Sequence, residues 1–173
     1  MQDQTTTNSV DENIKRLGKL IKDIKVAMLT SVDEKGRMHS RPMATQQIDF
    51  DGNLWFFTGE NSQKVAELQR LQQVQISYAE PKDQRYLSVT GTAELVHDRK
   101  MAERLWNVFY KAWFPEGLDD PNLTLIKVNV EMAEYWESLS SPAVHLIGFT
   151  KAILTGKPYK GEGSEHGKVK LAG

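Results

Sequence analysis

Residues 37–64 read RMHSRPMATQQIDFDGNLWFFTGENSQK, and this stretch decides the architecture. Phe50-Asp51-Gly52-Asn53 is a hairpin turn, because Asp-Gly readily adopts the positive φ that tight hairpin turns require. Before it, Arg37–Asp49 has the extent of a long strand. After it, Leu54–Thr58 (LWFFT) is a strand apolar on both faces, and so expected to be central. Ser62 then caps a short helix with Val65, Ala66, Leu68 and Leu71 on its inward side.

Toward the N-terminus, Val26–Val32 reads as a buried strand broken by Asp33-Glu34-Lys35-Gly36. Ahead of it, Val10, Ile14, Leu17, Ile21 and Ile24 fall on one face of an amphipathic helix. Residues 1–9 are polar and aperiodic, the pattern of a disordered end. Toward the C-terminus, Val74–Ala79 and Tyr86–Val96 are strands separated by the turn Glu80–Gln84. Asp98 is an N-cap for a helix whose Ala102, Leu105, Phe109 and Ala112 share a face. A Pro- and Gly-containing loop, Phe114–Asn122, leads to strands at Leu123–Val130 and Ala133–Trp136. An amphipathic stretch, Val144–Leu154, precedes a Gly- and Lys-rich tail, 156–173, expected to be flexible. The sum is a mainly β fold: a six- to seven-stranded antiparallel barrel with peripheral helices, one domain over residues 10–155.

Composition narrows the function. A chain of 173 residues can bury a core without disulfides or metals, and it has no cysteine to supply either. A net charge of −1 argues against a nucleic-acid binder. No apolar run approaches the ~20 residues of a membrane span, and Met1–Val10 lacks a signal peptide's apolar core. A cytoplasmic location is the expectation. His39, His97, His145 and His166 have no metal-ligand spacing.

Two segments could hold an anion. In Gly59-Glu60-Asn61-Ser62-Gln63-Lys64, free amides at a helix start and the Ser62 hydroxyl suit a phosphate. Lys64 lies in the first turn, where a cation is disfavoured unless an anion is bound beside it. Taken alone, the segment reads more readily as a capped helix with a solvated lysine. In Ser40-Arg41-Pro42-Met43, proline marks a strand edge or a site of outside approach, and Arg41 could grip a phosphate bidentately. A solvated arginine on an edge strand is an equal reading. The aromatics at 55–57, 113–114 and 135–136 suit a core or dimer interface, and also the walls of a planar cofactor site.

In this order, SRPM at 40–43, LWFFT at 54–58, SQK at 62–64, SVTGTAEL at 88–95, WFPEGLDDP at 113–121 and AEYW at 133–136 resemble the pyridoxamine 5′-phosphate oxidase-like, FMN-binding split barrels. The general stress protein branch is the nearest in pattern. The resemblance implies a homodimer with an FMN in each of two interface clefts. It would place Arg41, Lys64 and Ser62 on the FMN phosphate, and Pro42 and Met43 along the isoalloxazine. Phe57 and Thr58 would contact the ring and its ribityl-phosphate arm. Trp136 would reach the flavin across the dimer interface, with Tyr86 and Trp113 bordering its face.

The pattern also departs from the true oxidases of that family. Gln46 stands where they carry a lysine, Tyr86 where they carry a glutamine, and Gln63 where they carry an arginine. They use an Arg-x-His motif near the C-terminus, and no arginine follows Arg104. The resemblance therefore implies an FMN-dependent oxidoreductase of an unidentified small molecule, working through flavin N5, rather than a pyridoxamine phosphate oxidase. No side chain stands out as a general acid or base. The alternatives are a non-catalytic flavin-sequestering stress protein and a reductase using deazaflavin F420; haem is least favoured.

Overall fold

The computed structural model describes residues 3–138 and 164–171. Helix α1 (Asp3–Ile21) leads into β1 (Val26–Val32), β2 (Met38–Ala44) and β3 (Asn53–Gly59). Helix α2 (Gln63–Arg70), β4 (Gln73–Glu80), β5 (Arg85–Val96) and α3 (Arg99–Leu105) follow. Two short 3-10 turns, Val108–Ala112 and Gly117–Asp119, then precede β6 (Leu123–Ser138) and β7 (Ser164–Lys170). Every strand pairing is antiparallel, along the path β2-β1-β4-β5-β6-β3, with β7 added to β6. The ends of that path, β2 and β3, are not paired to each other, so the barrel is split between them, and the hairpin expected at Phe50–Asn53 does not form: the chain bends at Asp51-Gly52 to cross the split instead of returning along β2.

Leu29, Ile76, Val89, Ile126 and Val128 fill the interior, and α1 adds Leu17, Leu20 and Ile21 to the same cluster. A second cluster forms outside the barrel, where Ala102 and Leu105 of α3 cover Trp55 and Leu125. This explains the doubly apolar LWFFT. It lies at one end of the strand path rather than in its centre, and its outer face is buried by α3 rather than by neighbouring strands.

Strand β6 is the spine. One edge pairs with β5 throughout; the other pairs with β3 through residues 123–129 and with β7 through residues 132–138. The two stretches expected as separate strands are thus one, interrupted by an irregularity opposite Thr90 and Gly91 that leaves Glu131 as an extra residue. Gly91 is obligatory there, since a Cβ would lie 2.2 Å from the Asn129 carbonyl oxygen.

Other boundaries also differ from the sequence expectations. Helix α1 begins at Asp3, ahead of the apolar periodicity, because helical hydrogen bonding continues through residues with no apolar face to announce it. Strand β2 is shorter than Arg37–Asp49, and residues 45–49 leave the ladder. Asp98 does cap α3, accepting from the Met101 amide at 3.0 Å, but α3 ends at Leu105 and leaves Phe109 exposed. The tail is corrected most: residues 164–170 are a paired strand. Its only large apolar side chain turned inward within the strand is Val169, so the period-2 signal was weak. Gly167 faces Tyr135 so closely that a Cβ would lie 2.5 Å from the ring. The expected amphipathic stretch 144–154 lies outside the described residues.

Candidate functional site

Arg41 and Met43 lie on the inward side of β2 by strand alternation. Met43 is buried in the barrel core, so its side chain is committed to packing and it has only main chain to offer a ligand. Arg41 sits nearer the barrel end and meets a second inward residue, Ser31 of β1, and the buried Glu67 of α2. Its guanidinium donates to Ser31 Oγ and, at 2.9 Å, to a Glu67 carboxylate oxygen. Glu67 also accepts from Ser31 and Gln63. Burial alone would raise its pKa, but the hydrogen bonds from Ser31 and Arg41 outweigh burial and hold the carboxylate below its ordinary range.

Lys64 comes from the first turn of α2. Its Nζ donates to Thr58 Oγ1 at 3.0 Å, and Thr58 Oγ1 lies 3.2 Å from Ser62 Oγ. Ser62 therefore makes no side-chain cap to its own helix. Burial depresses the Lys64 pKa first, and the positive charge of Arg41 depresses it further, with Glu67 opposing. Thr124, the register partner of Thr58, has a buried hydroxyl with no hydrogen-bond partner. Two cations, the Ser62 hydroxyl, the orphaned Thr124 hydroxyl and the start of α2 thus converge at one end of the split. A tetrahedral oxyanion fits this donor set and would relieve the repulsion between Arg41 and Lys64. The two segments that were ambiguous separately are neighbours in the fold.

Glu67 and Ser31 were missed by the sequence reading. Glu67 occupies the inward side of α2 in place of Ala66, which is exposed. The available signal was Arg41 itself: an arginine on an inward strand face requires a buried acceptor.

The remaining expected residues lie elsewhere. Phe57 turns toward α3 and the first 3-10 turn, 4.5 Å from Tyr110 and edge-on to Trp106 at 5.8 Å between ring centroids. Gln46 donates to the Tyr110 hydroxyl at 2.7 Å. Trp113 is exposed beside that turn. Pro42, Tyr86 and Trp136 lie on the outer face of the sheet, where register aligns Tyr86 with Trp136 and Trp136 with His166. The Trp136 and His166 rings stack at 5.2 Å and 11°, and His166 pairs with Glu134. Val26, Met28 and Met132 are exposed on the same face. Within one chain, then, Arg41, Thr58, Ser62 and Lys64 are brought together, while Tyr86 and Trp136 lie several strands away. Among the described residues there is no group of His, Asp and Glu suited to a metal, and no helix long and apolar enough to cross a membrane.

An antiparallel split barrel with two cations, Arg41 and Lys64, close together between β2, β3 and α2 defines a class of small β proteins. Residues 12–160 match the family described as pyridoxamine 5′-phosphate oxidase like, and the chain belongs to that family. It is 30% identical over 159 residues to protein bli-3 of Neurospora crassa, covering 86% of this chain and 76% of that protein. A solved structure named for general stress protein 26, from Jannaschia sp. CCS1, shares the fold with a TM-score of 0.73 at 24% identity, covering 93% of this chain and 99% of the other. The general stress FMN/FAD-binding protein of Xanthomonas citri is 30% identical, with a TM-score of 0.64 over 76% of this chain and 92% of its own. The family, its general stress protein 26 relatives and the split-barrel architecture agree with the motif resemblance.

Proposed function

We propose that this protein is a flavoprotein that binds FMN and acts as an oxidoreductase on a small molecule, as a homodimer in the cytoplasm. The observation that carries the reading is the close approach of two cations, Arg41 and Lys64, beside Thr58, Ser62 and the start of α2, a donor set suited to a phosphate monoester. Arg41 and Lys64 would hold the phosphate, Ser62 would donate a hydroxyl, and Thr58 would orient Lys64. Pro42 and the Met43 main chain would border the ring plane. FMN, when bound, supplies the redox chemistry. The protein's part is to anchor it, orient it and keep water from one face.

The homodimer draws support from the outer sheet face, where Val26, Met28, Tyr86, Met132 and Trp136 cluster as an exposed apolar patch. A second copy packed there would cover the patch, and Trp136 of the partner subunit would complete the cleft. Gln46, which stands where the family's oxidases carry a lysine, has its amide bonded to the Tyr110 hydroxyl and neither supplies nor takes up a proton. That favours, as a second reading, a protein that holds flavin without turnover.

The test is titration of the flavin-stripped protein with FMN and with riboflavin, followed by anaerobic addition of NADPH. FMN should bind at least about tenfold tighter than riboflavin, and Lys64→Met should abolish that preference. Equal affinity for the two flavins would overturn the assignment of the cradle. Bleaching of bound flavin by the nicotinamide supports the oxidoreductase, and persistent oxidised flavin supports the holding protein.

A further inference from the structure

The split has a second end. Thr45 lies four residues beyond Arg41, about 13 Å along an extended chain. There a cavity of about 540 Å³ opens between α1, residues 45–50, the start of β3 and Tyr78 of β4. None of Arg41, Ser62 or Lys64 lines it.

Three features distinguish it from a packing gap. First, Tyr78 is 1% exposed and its hydroxyl has no hydrogen-bond partner; the buried Thr45 hydroxyl, on the same cavity wall, has none either. Leaving two buried hydroxyls unpaired is costly, and a bound acceptor removes the cost. Burial pushes the Tyr78 phenol pKa up, so it remains a neutral donor. Second, Gly18 interrupts the apolar stripe of α1 between Ile14 and Ile21, where a larger residue would both strengthen the helix and fill the space. Third, Lys15 and Lys19 of α1 and Lys22 just beyond its end line the cavity and are exposed, against a single lining acid, Asp49.

We propose that this cavity binds a small amphipathic organic anion, distinct from any phosphate held by Arg41 and Lys64. Its apolar body would lie against Ile14, Phe50, Leu54 and Phe56. Tyr78 and Thr45 donate to a carbonyl-type oxygen at its inner end, and the three lysines attract its acid group.

The experiment is calorimetric titration of the full chain with 4-oxo-4-phenylbutanoate, beside 1-phenylbutan-1-one, the same ketone with a methyl group in place of the carboxylate. The acid should bind saturably and about tenfold tighter than the neutral ketone, and Lys15→Glu/Lys19→Glu/Lys22→Glu should erase that difference. Tyr78→Phe should weaken binding of the acid about threefold or more while leaving the melting temperature equal or higher, since it deletes an unpaired hydroxyl. A purely structural tyrosine would leave the affinity unchanged, which overturns the hydroxyl's role. Gly18→Leu should block binding. No saturable binding at millimolar concentrations, or equal binding of acid and ketone, overturns the proposal. Lys64→Met should leave the acid's affinity unchanged; loss of binding in that variant would show that the acid occupies the phosphate cradle and would overturn a separate site.

Discussion

Glu67→Gln separates two tasks that one buried carboxylate performs. Glu67 is 5% exposed, accepts from Ser31, and bonds Arg41 and Gln63 at 2.9 Å each. Glutamine preserves the shape, and its carbonyl can still accept from Ser31 and Arg41. The lost charge weakens each of those two bonds by about 1 kcal/mol, roughly 2 kcal/mol of folding stability together. The effect on an anion at Arg41 has the opposite sign. At about 6 Å, a carboxylate repels each unit of anionic charge by roughly 0.7 kcal/mol in water-like surroundings and roughly 2.8 at an effective dielectric of about 20. Even the smaller value is a factor of about three. The variant should therefore unfold at lower urea concentration yet bind FMN at least about threefold tighter, read by urea denaturation and by fluorescence titration of the stripped protein. A drop in FMN affinity would show that Glu67 acts chiefly by holding Arg41 in place, and would refute the charge argument. Unchanged stability would refute the buried network.

The same carboxylate sets an acid limb. Its folded pKa lies below the ordinary value of 4.5, so its contribution to stability is full above that pH and is lost as pH falls through the folded value. Urea midpoints measured from pH 7 to pH 3 should fall less steeply in Glu67→Gln than in the wild type. Gly167→Val drives a side chain into the Tyr135 ring and should cost about 1–3 kcal/mol, with hydrogen exchange rising first in residues 164–170. Asp98→Ala removes the cap on the Met101 amide and should cost about 1 kcal/mol in thermal unfolding, with FMN binding unchanged. Arg41→Ala is a poor probe of the cradle, because it strands the buried Glu67 without its cation and should cost about 3–5 kcal/mol.

The legible parts of this chain are those where local chemistry and tertiary demand coincide. Asp98 made a cap, and Lys64 stood out as a cation in a first helical turn, but Asp51-Gly52 bends the chain without making the expected hairpin, because β2 and β3 do not pair. What stayed hidden depends on partners remote in sequence. The double burial of LWFFT says that both faces are covered, not by what, and α3 rather than further strands is the answer. β7 contains one glutamate, two lysines and one buried valine; its strand character is imposed by the edge of β6 over residues 132–138 and by the room Gly167 leaves for Tyr135. Glu67 reads as a surface helix residue until Arg41 is placed above it. Tyr86 and Trp136 could be recognised as aromatic pieces of a motif, but nothing local says that they face away from the chain's own cradle.

The shared edge of β6 has a consequence for the chain's life before it is folded. Until residues 164–170 are synthesised and docked, residues 132–138 present a row of unsatisfied backbone groups next to the apolar outer face that carries Trp136. Such an edge is a template for pairing with another molecule. β7 closes it with a strand whose outward side chains include Lys168 and Lys170, both exposed, so the new edge carries cations beside a face that displays Met132 and Trp136. The last strand thus acts as a guard against aggregation, and a nascent or clipped chain ending before residue 164 should precipitate where the full chain stays monodisperse.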